Sequence, residues 1–466
     1  MKTFFRRLAL TFGALLALLV LFHLVENWRG RRAWRQWRQA REAAGGSYDR
    51  AALIPPEVPD AENFARAPGL AQAMEPMAGV PQLPPLPVLP TALVDTLRQW
   101  KMGSKADLPA LKAKLKLKDF QEILAPWEGE LTTLTEAAHR PKCRLLRDYR
   151  DPNAMPALLG MRSRGRALAL RALVALGERR EAAALEDVLT GLRVAAHLQQ
   201  EPHLLTALLR TAWVDGMLQP IWEGLQDHRW NGPQLLKLQE ALAPIDLVAS
   251  MARGWRMEQI YVVNLFEQAA EGPLRSRQDL ESILGEPRSG PRPVLDCVTL
   301  FPKGWMYQNL CRLDQYYVTH FLGAFDPAGH RIHVQVGAEA AFRRFISQRG
   351  VYSLLARRTL PLLIQQNFRV ARAQSGLDLA VLACALERHK LERGRYPASL
   401  AALVPAYLAK PPVDVVEGQP LSYTLQPSGT YTLYSLGWNQ TDEKGVAMAG
   451  TEANPFLGDW VWTQGK

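Results

Sequence analysis

Cysteine is scarce in this chain. Its four cysteines, Cys143, Cys297, Cys311 and Cys384, stand far apart. That spacing excludes a CxxC zinc or redox pair and a disulfide framework, and predicts buried free thiols. Catalytic signatures are also missing. The only Gly-Lys pair, Gly465-Lys466, ends the sequence, so there is no P-loop, and neither H-E-x-x-H nor G-x-G-x-x-G occurs. The nearest approach to a nucleophile elbow, Gly160 to Gly165, is one residue too long and lies among helical patterns. A second long apolar run is lacking as well, so at most one segment reads as a membrane span.

What is present is the composition of a folded protein, 48% hydrophobic and 22% charged over 466 residues, enough for two or three domains. The formal charge is +11, but its distribution is uneven. Residues 1–41 hold nine basic residues (Lys2, Arg6, Arg7, Arg29, Arg31, Arg32, Arg35, Arg38 and Arg41) against one acid, Glu26. The remainder is close to balanced, which leaves no basic stripe on the folded body and argues against a nucleic-acid partner.

Residues 8–25, LALTFGALLALLVLFHLV, carry no charge and span about 27 Å as a helix, close to a hydrocarbon core. The run meets ENWRGRR rather than a small-residue cleavage site, so the sequence predicts an uncleaved, single-pass anchor over 1–25 with the lipid bilayer as partner. Over 26–45, helical spacing puts Ala33, Trp34, Trp37 and Ala40 on one arc and the arginines on the other. This predicts an amphipathic surface helix with Trp28, Trp34, Trp37, Arg29, Arg31, Arg32, Arg35 and Arg38 at the membrane interface. The arginines following the span outnumber the basic residues before it, which by the positive-inside rule points to a cytoplasmic body.

Beyond the anchor, the predicted fold class is mainly α. A proline-rich linker covers 46–91, an irregular helical bundle without a fixed repeat covers 92–356, and an α+β domain covers 357–466. In the last of these a long helix ends at Gly394, and the alternating segments LSYTLQ and TYTLYSL, joined by PSG, predict an antiparallel hairpin against it. His330 and His333 fall in a turn-and-strand pattern that points them apart, as an exposed turn rather than a metal site. Glu387, His389 and Glu392 read as the charged side of the long helix, with Leu382, Leu386 and Leu391 on the core side. Glu223 and Asp227 are one helical turn apart, the basis of an alternative reading as a membrane-bound hydrolase.

From Ala385 onward, ALERHKLERGRYPASLAAL, the turn at Pro411 to Asp414, GQPLSYTL and LYSLG follow in an order that resembles the globular domain of the type II secretion major pseudopilin. In that family the loop after S-x-G-x-D-G binds calcium, and the protein assembles into a short periplasmic filament. Ser435 and Gly437 match, while Asn439 stands for the Asp and Gln440 for the Gly. The resemblance implies calcium held by Asn439, Asp442, Glu443 and Asp459, against a plain hydrogen-bonded polar turn. The loop does not fit an EF-hand. MKTFFRRLAL lacks the family's processing site, and the helical region has no counterpart there, so the chain does not read as a processed pseudopilin.

Over its whole length, ENWRGRRAW, IPPEVPDAENFA, IWEGLQDHRW, GWMYQN and LYSLGWNQTDEKG are similar to an uncharacterised family of membrane-anchored proteins from Planctomycetes and Verrucomicrobia. Together the resemblances imply a bacterial inner-membrane protein with an extracytoplasmic body. Its expected role is structural, assembly or binding in the envelope, linked to type II secretion or pilus-like systems, through protein partners or self-assembly.

Overall fold

The first helix, α1 (Lys2–Ala43), runs unbroken through the apolar run and the Trp-Arg stretch. A computed structural model describes residues 2–70, 117–149, 158–271, 301–334, 338–347, 350–359, 364–447 and 457–463. Cys297 and residues 71–91 of the predicted proline-rich linker lie outside these residues. The other helices are α2 (Leu117–Leu124), α3 (Glu128–Ala138), α4 (Leu158–Gly177), α5 (Glu181–His197), α6 (Leu204–Gln226), α7 (Gly232–Leu242) and α8 (Leu247–Glu271). They continue with α9 (Lys303–Tyr316), α10 (Ala338–Ser347), α11 (Ala356–Thr359) and α12 (Ile364–Arg393). Two small antiparallel sheets complete the described fold: β1 (Phe325–Asp326) with β2 (Arg331–Ile332), and β3 (Ser422–Leu425), β4 (Tyr431–Ser435) and β5 (Trp460–Thr463) in that order. The predicted mainly α class, with a C-terminal α+β region, is what forms.

The chain divides into two units that do not follow its linear segments. The first is Met1–Leu53, Trp255–Gly323 and Gln335–Ile364, and the second is Ile54–Gly254, Ala324–Val334 and Gln365–Lys466. In the first unit α1 packs along α9. The core is aromatic: Trp255 stacks on Phe321 with centroids 4.0 Å apart, and Tyr317 meets both rings edge-on. Asn309, buried in α9, donates to the carbonyls of Trp305 and Val351 and accepts from the amides of Leu355 and Ala356. One amide side chain thus fixes the turn after α10.

In the second unit α4, α5 and α6 pack mutually, with α3 and α7 alongside. Trp222 and Trp230 are buried. Asn231 and Gln234 form a capping box at the start of α7, with Pro233 in its first turn. Arg210 is fully buried; its guanidinium donates to the carbonyls of Ala195 and Asp246 and to Gln199 and Ser250, tying α5, α6 and α8 together.

The long helix α12 ends at Arg393, and Gly394 takes a left-handed φ of 73° that stops it. The predicted hairpin forms in the register Leu425 to Tyr431, with Gly429 at φ 81° in its turn. Tyr431, Leu433 and Trp462 are buried, and Phe368 of α12 meets Trp438 and Trp460 edge-on.

Candidate functional site

Two polar sites are built around the sequence-predicted residues, one along α1 and one in the loop after β4. Residues 8–22 of α1 are all exposed, Leu10 and Phe12 among them. At Glu26 the environment changes within one residue. Its carboxylate is 3% exposed and accepts from Arg29 Nη1 at 2.7 Å, Trp305 Nε1 at 2.9 Å and the Tyr352 hydroxyl at 2.9 Å. Asn27 Oδ1 accepts from the Gly304 amide at 2.8 Å. Gly30 and Gly304 let α1 and α9 touch backbone to backbone. A Cβ on Gly30 would lie 2.1 Å from the Gly304 oxygen, and one on Gly304 would lie 1.9 Å from the Glu26 oxygen.

Further along α1, Trp34 Nε1 donates to Glu267 Oε1 at 2.6 Å, and Arg38 Nη1 reaches the same oxygen at 2.7 Å. Trp37 Nε1 and the Tyr48 hydroxyl both donate to Asp314 Oδ2 at 2.7 Å, while Gln259 Nε2 donates to Oδ1 at 2.6 Å. This corrects the predicted surface helix. The arc of Trp34 and Trp37 is turned into the protein rather than toward lipid, and α1 is one helix rather than an anchor followed by a separate segment. Trp28, Arg29, Arg31, Arg32 and Arg35 remain exposed, with the Arg32 guanidinium 5.2 Å from the Trp28 ring; Arg38 is half-buried against Glu267 and Glu42.

The loop after β4 is held by two aspartates. Asp414 Oδ2 accepts from the Leu436 amide, and its Oδ1 accepts from the amides of Val416 and Glu417. Asp459, 3% exposed, accepts from the Gly445 amide at 2.7 Å and the Glu443 amide at 3.4 Å. Asn439 Nδ2 donates to Glu443 Oε1 at 2.7 Å. Burial, with the neighbouring Glu443 carboxyl, pushes Asp459 up to about 6. Asp442 is committed elsewhere. It accepts from the Tyr434 hydroxyl and pairs with Lys444 Nζ at 2.7 Å, and those contacts hold it below the usual carboxylate range.

Asn439, Glu443 and Asp459 are therefore brought together and Asp442 is not. Among the described residues, no three His, Cys, Asp or Glu side chains could jointly hold a metal ion. Of the four residues named from the sequence, Asp442 is instead paired with the exposed Lys444 ammonium.

No family model, curated protein or solved structure matches the chain.

Sequence reasoning also missed several buried polar clusters. Glu201, buried beside α5, accepts from the Tyr149 hydroxyl at 2.7 and 2.6 Å and from the Leu145 amide at 2.7 Å; burial pushes it up to about 7. Glu387, read as solvated, is buried against Tyr396 and lies 3.4 Å from His228 Nδ1, while Leu391, read as core, is exposed. Glu223 is buried and Asp227 is exposed at the end of α6, so the two carboxylates of the hydrolase reading do not share an environment.

His330, read as an exposed turn, sits at φ 53° between Asp246 Oδ1 at 3.7 Å and Asp378 Oδ2 at 3.6 Å. The two flanking carboxylates, Asp246 foremost and then Asp378, push its pKa up to about 10. Burial raises Asp246, but His330, the Ala249 amide and Arg210 together more than offset it and the carboxyl ends below its ordinary value; burial leaves Asp378 above. The sign follows from a folded pKa above the unfolded one. Protonated His330 contributes stability that is complete below about pH 6.5 and lost as pH rises through about 10. Melting followed from pH 7 to 10.5 should fall more steeply in the natural chain than in His330→Gln. Parallel curves would remove the pair from the account.

Proposed function

We propose that this chain is a single-pass membrane protein of the bacterial envelope, anchored by α1, with a structural, assembly or binding role for its body. The observation that carries the reading is the change along α1. One helix is long and apolar enough to cross a membrane, residues 8–22 of its apolar stretch are exposed, and the same helix is then clamped by hydrogen bonds to the buried Glu26. An apolar surface of that length needs a nonpolar solvent, and lipid supplies it.

The element order of the closing region supports the second part of the proposal, a pseudopilin-like domain acting in type II secretion or a related pilus-like assembly. A long helix leads through a Pro-Asp turn to a three-stranded antiparallel sheet whose loop is closed by an aspartate ahead of a Trp-rich strand. The extracytoplasmic orientation is part of the same proposal.

Chemical crosslinking in native membranes tests the assembly role. The expected result is discrete higher-mass species, formed with copies of the chain or with envelope proteins. A strictly monomeric, uncrosslinked chain would overturn it. Fusion of alkaline phosphatase to the C-terminus should give an active reporter; an inactive one would put the body in the cytoplasm.

A further inference from the structure

Glu26 marks a level on the first unit, and three other segments come to that level. Trp305, in the first turn of α9, meets Phe22 of the apolar run edge-on with centroids 6.1 Å apart. Phe301 packs on Trp305 at 5.0 Å, and Tyr352, from the turn after α10, meets it at 6.2 Å. Lys303 Nζ donates to the Glu271 carbonyl at the end of α8, bringing a fourth chain segment alongside. Phe22 lies three residues before the end of the apolar run, about 4.5 Å along the helix axis. The Phe301-Trp305-Tyr352 cluster therefore stands at the depth where the span leaves the hydrocarbon.

Aromatic rings carrying N–H or O–H groups are favoured at that depth, because the ring is apolar and its polar edge finds partners. The charge around the cluster has one sign on α1. Arg29, Arg31, Arg32 and Arg35 are exposed, while Glu26, the sole acid among residues 1–41, is buried and already bonded. Exposed guanidinium groups beside an aromatic belt are complementary to phosphate esters of net negative headgroups.

We propose that the first unit makes a second membrane contact through this cluster. Phe301, Trp305 and the turn at Gly350–Tyr352 seat on the bilayer surface, and Arg29, Arg31 and Arg32 take anionic phospholipid headgroups. The proposal rests on the reading of α1 as a span. Its consequence is a first unit held at a fixed angle on the membrane, since α1 alone would leave it free to tilt, whereas a span plus an off-axis contact does not.

The test uses the full chain reconstituted in vesicles of phosphatidylcholine, alone or mixed with phosphatidylglycerol, with the photoreactive residue p-benzoylphenylalanine installed at one position at a time. Leu16 reports the span, Phe301 and Gly350 report the seating surface, and Gln39, further along the same helix, is the control. Gly350 tolerates the insertion because a Cβ there meets nothing within 4 Å. Lipid adducts are expected at Leu16 in both vesicles. At Phe301 and Gly350 they should rise severalfold with phosphatidylglycerol, and Gln39 should give none. Adducts at Leu16 without any at Phe301 or Gly350, or adducts there to a second copy of the chain, would overturn the seating surface and leave the span standing. Equal yields in both vesicles would overturn the headgroup preference. No lipid adduct at Leu16 would overturn the span itself.

Discussion

Gly304→Ala should unfold the junction between α1 and α9. A methyl group at this position would lie 1.9 Å from the Glu26 carbonyl oxygen and 2.8 Å from the Asn27 Cα, both backbone atoms that no rotamer change can move. The two helices would have to separate by more than an ångström, which also breaks the bond from the Gly304 amide to Asn27 and draws Trp305 off Glu26. Overpacking of this kind costs about 3 kcal/mol. Gly30→Ala should act in the same direction, because its Cβ would meet the Gly304 oxygen at 2.1 Å. Gly216→Ala in α6 is the matched control: its Cβ meets nothing within 4 Å, so the substitution should stabilise by about 0.5 kcal/mol through helix propensity alone. Hydrogen exchange in detergent micelles measures this directly, with faster exchange expected across residues 26–38 and 303–316 in Gly304→Ala and unchanged exchange in Gly216→Ala.

Asp314→Ala is the second large effect. Asp314 is 1% exposed and accepts from Trp37, Tyr48 and Gln259, and two of these donors, Tyr48 and Gln259, are buried with no solvent to turn to when it is removed. Leaving buried donors unmet costs about 1–3 kcal/mol each, and shared relaxation brings the expected total to about 4 kcal/mol. Trp37→Phe and Tyr48→Phe each remove one donor and leave the others served, so each should cost about 1 kcal/mol. Urea unfolding followed by a probe in the first unit would test the ranking. An Asp314→Ala chain no less stable than Tyr48→Phe would show that the carboxylate does not hold α1 in place.

Both effects depend on contacts that the sequence does not announce. The apolar run was legible because eighteen successive residues without a charge stand out from any amphipathic pattern. The hairpin was legible from strict alternation around PSG, and the end of α12 from Gly394, since both are set by a few adjacent residues. The Trp34-Trp37 arc misled because a helix face suited to a membrane surface has the same spacing as one suited to a protein groove. What decides between them is Glu267 and Asp314, more than two hundred positions away. Nothing in the sequence around Gly30 sets it apart, and only the approach of Gly304 explains it.

The same reasoning covers the buried acids. Glu387 has the helical position of a solvated charge, but Tyr396 and His228 cover it; His330 has the sequence context of a loose turn, but Asp246 and Asp378 fasten it. In the closing loop, oxygen-rich composition suggested a four-residue ion shell. Lys444, two positions from Asp442, pairs with that carboxylate, while Asn439, Glu443 and Asp459 are joined by hydrogen bonds.

The central claim is that α1 spans a bilayer and passes unbroken into the fold. Alkaline carbonate extraction of membranes carrying the full chain tests it most directly, because high pH strips proteins held by surface charge and leaves those held by a span. The account predicts that the full chain stays in the membrane pellet and that a chain with Leu15 and Leu19 both changed to Arg is released. Release of the natural chain into the supernatant would contradict it.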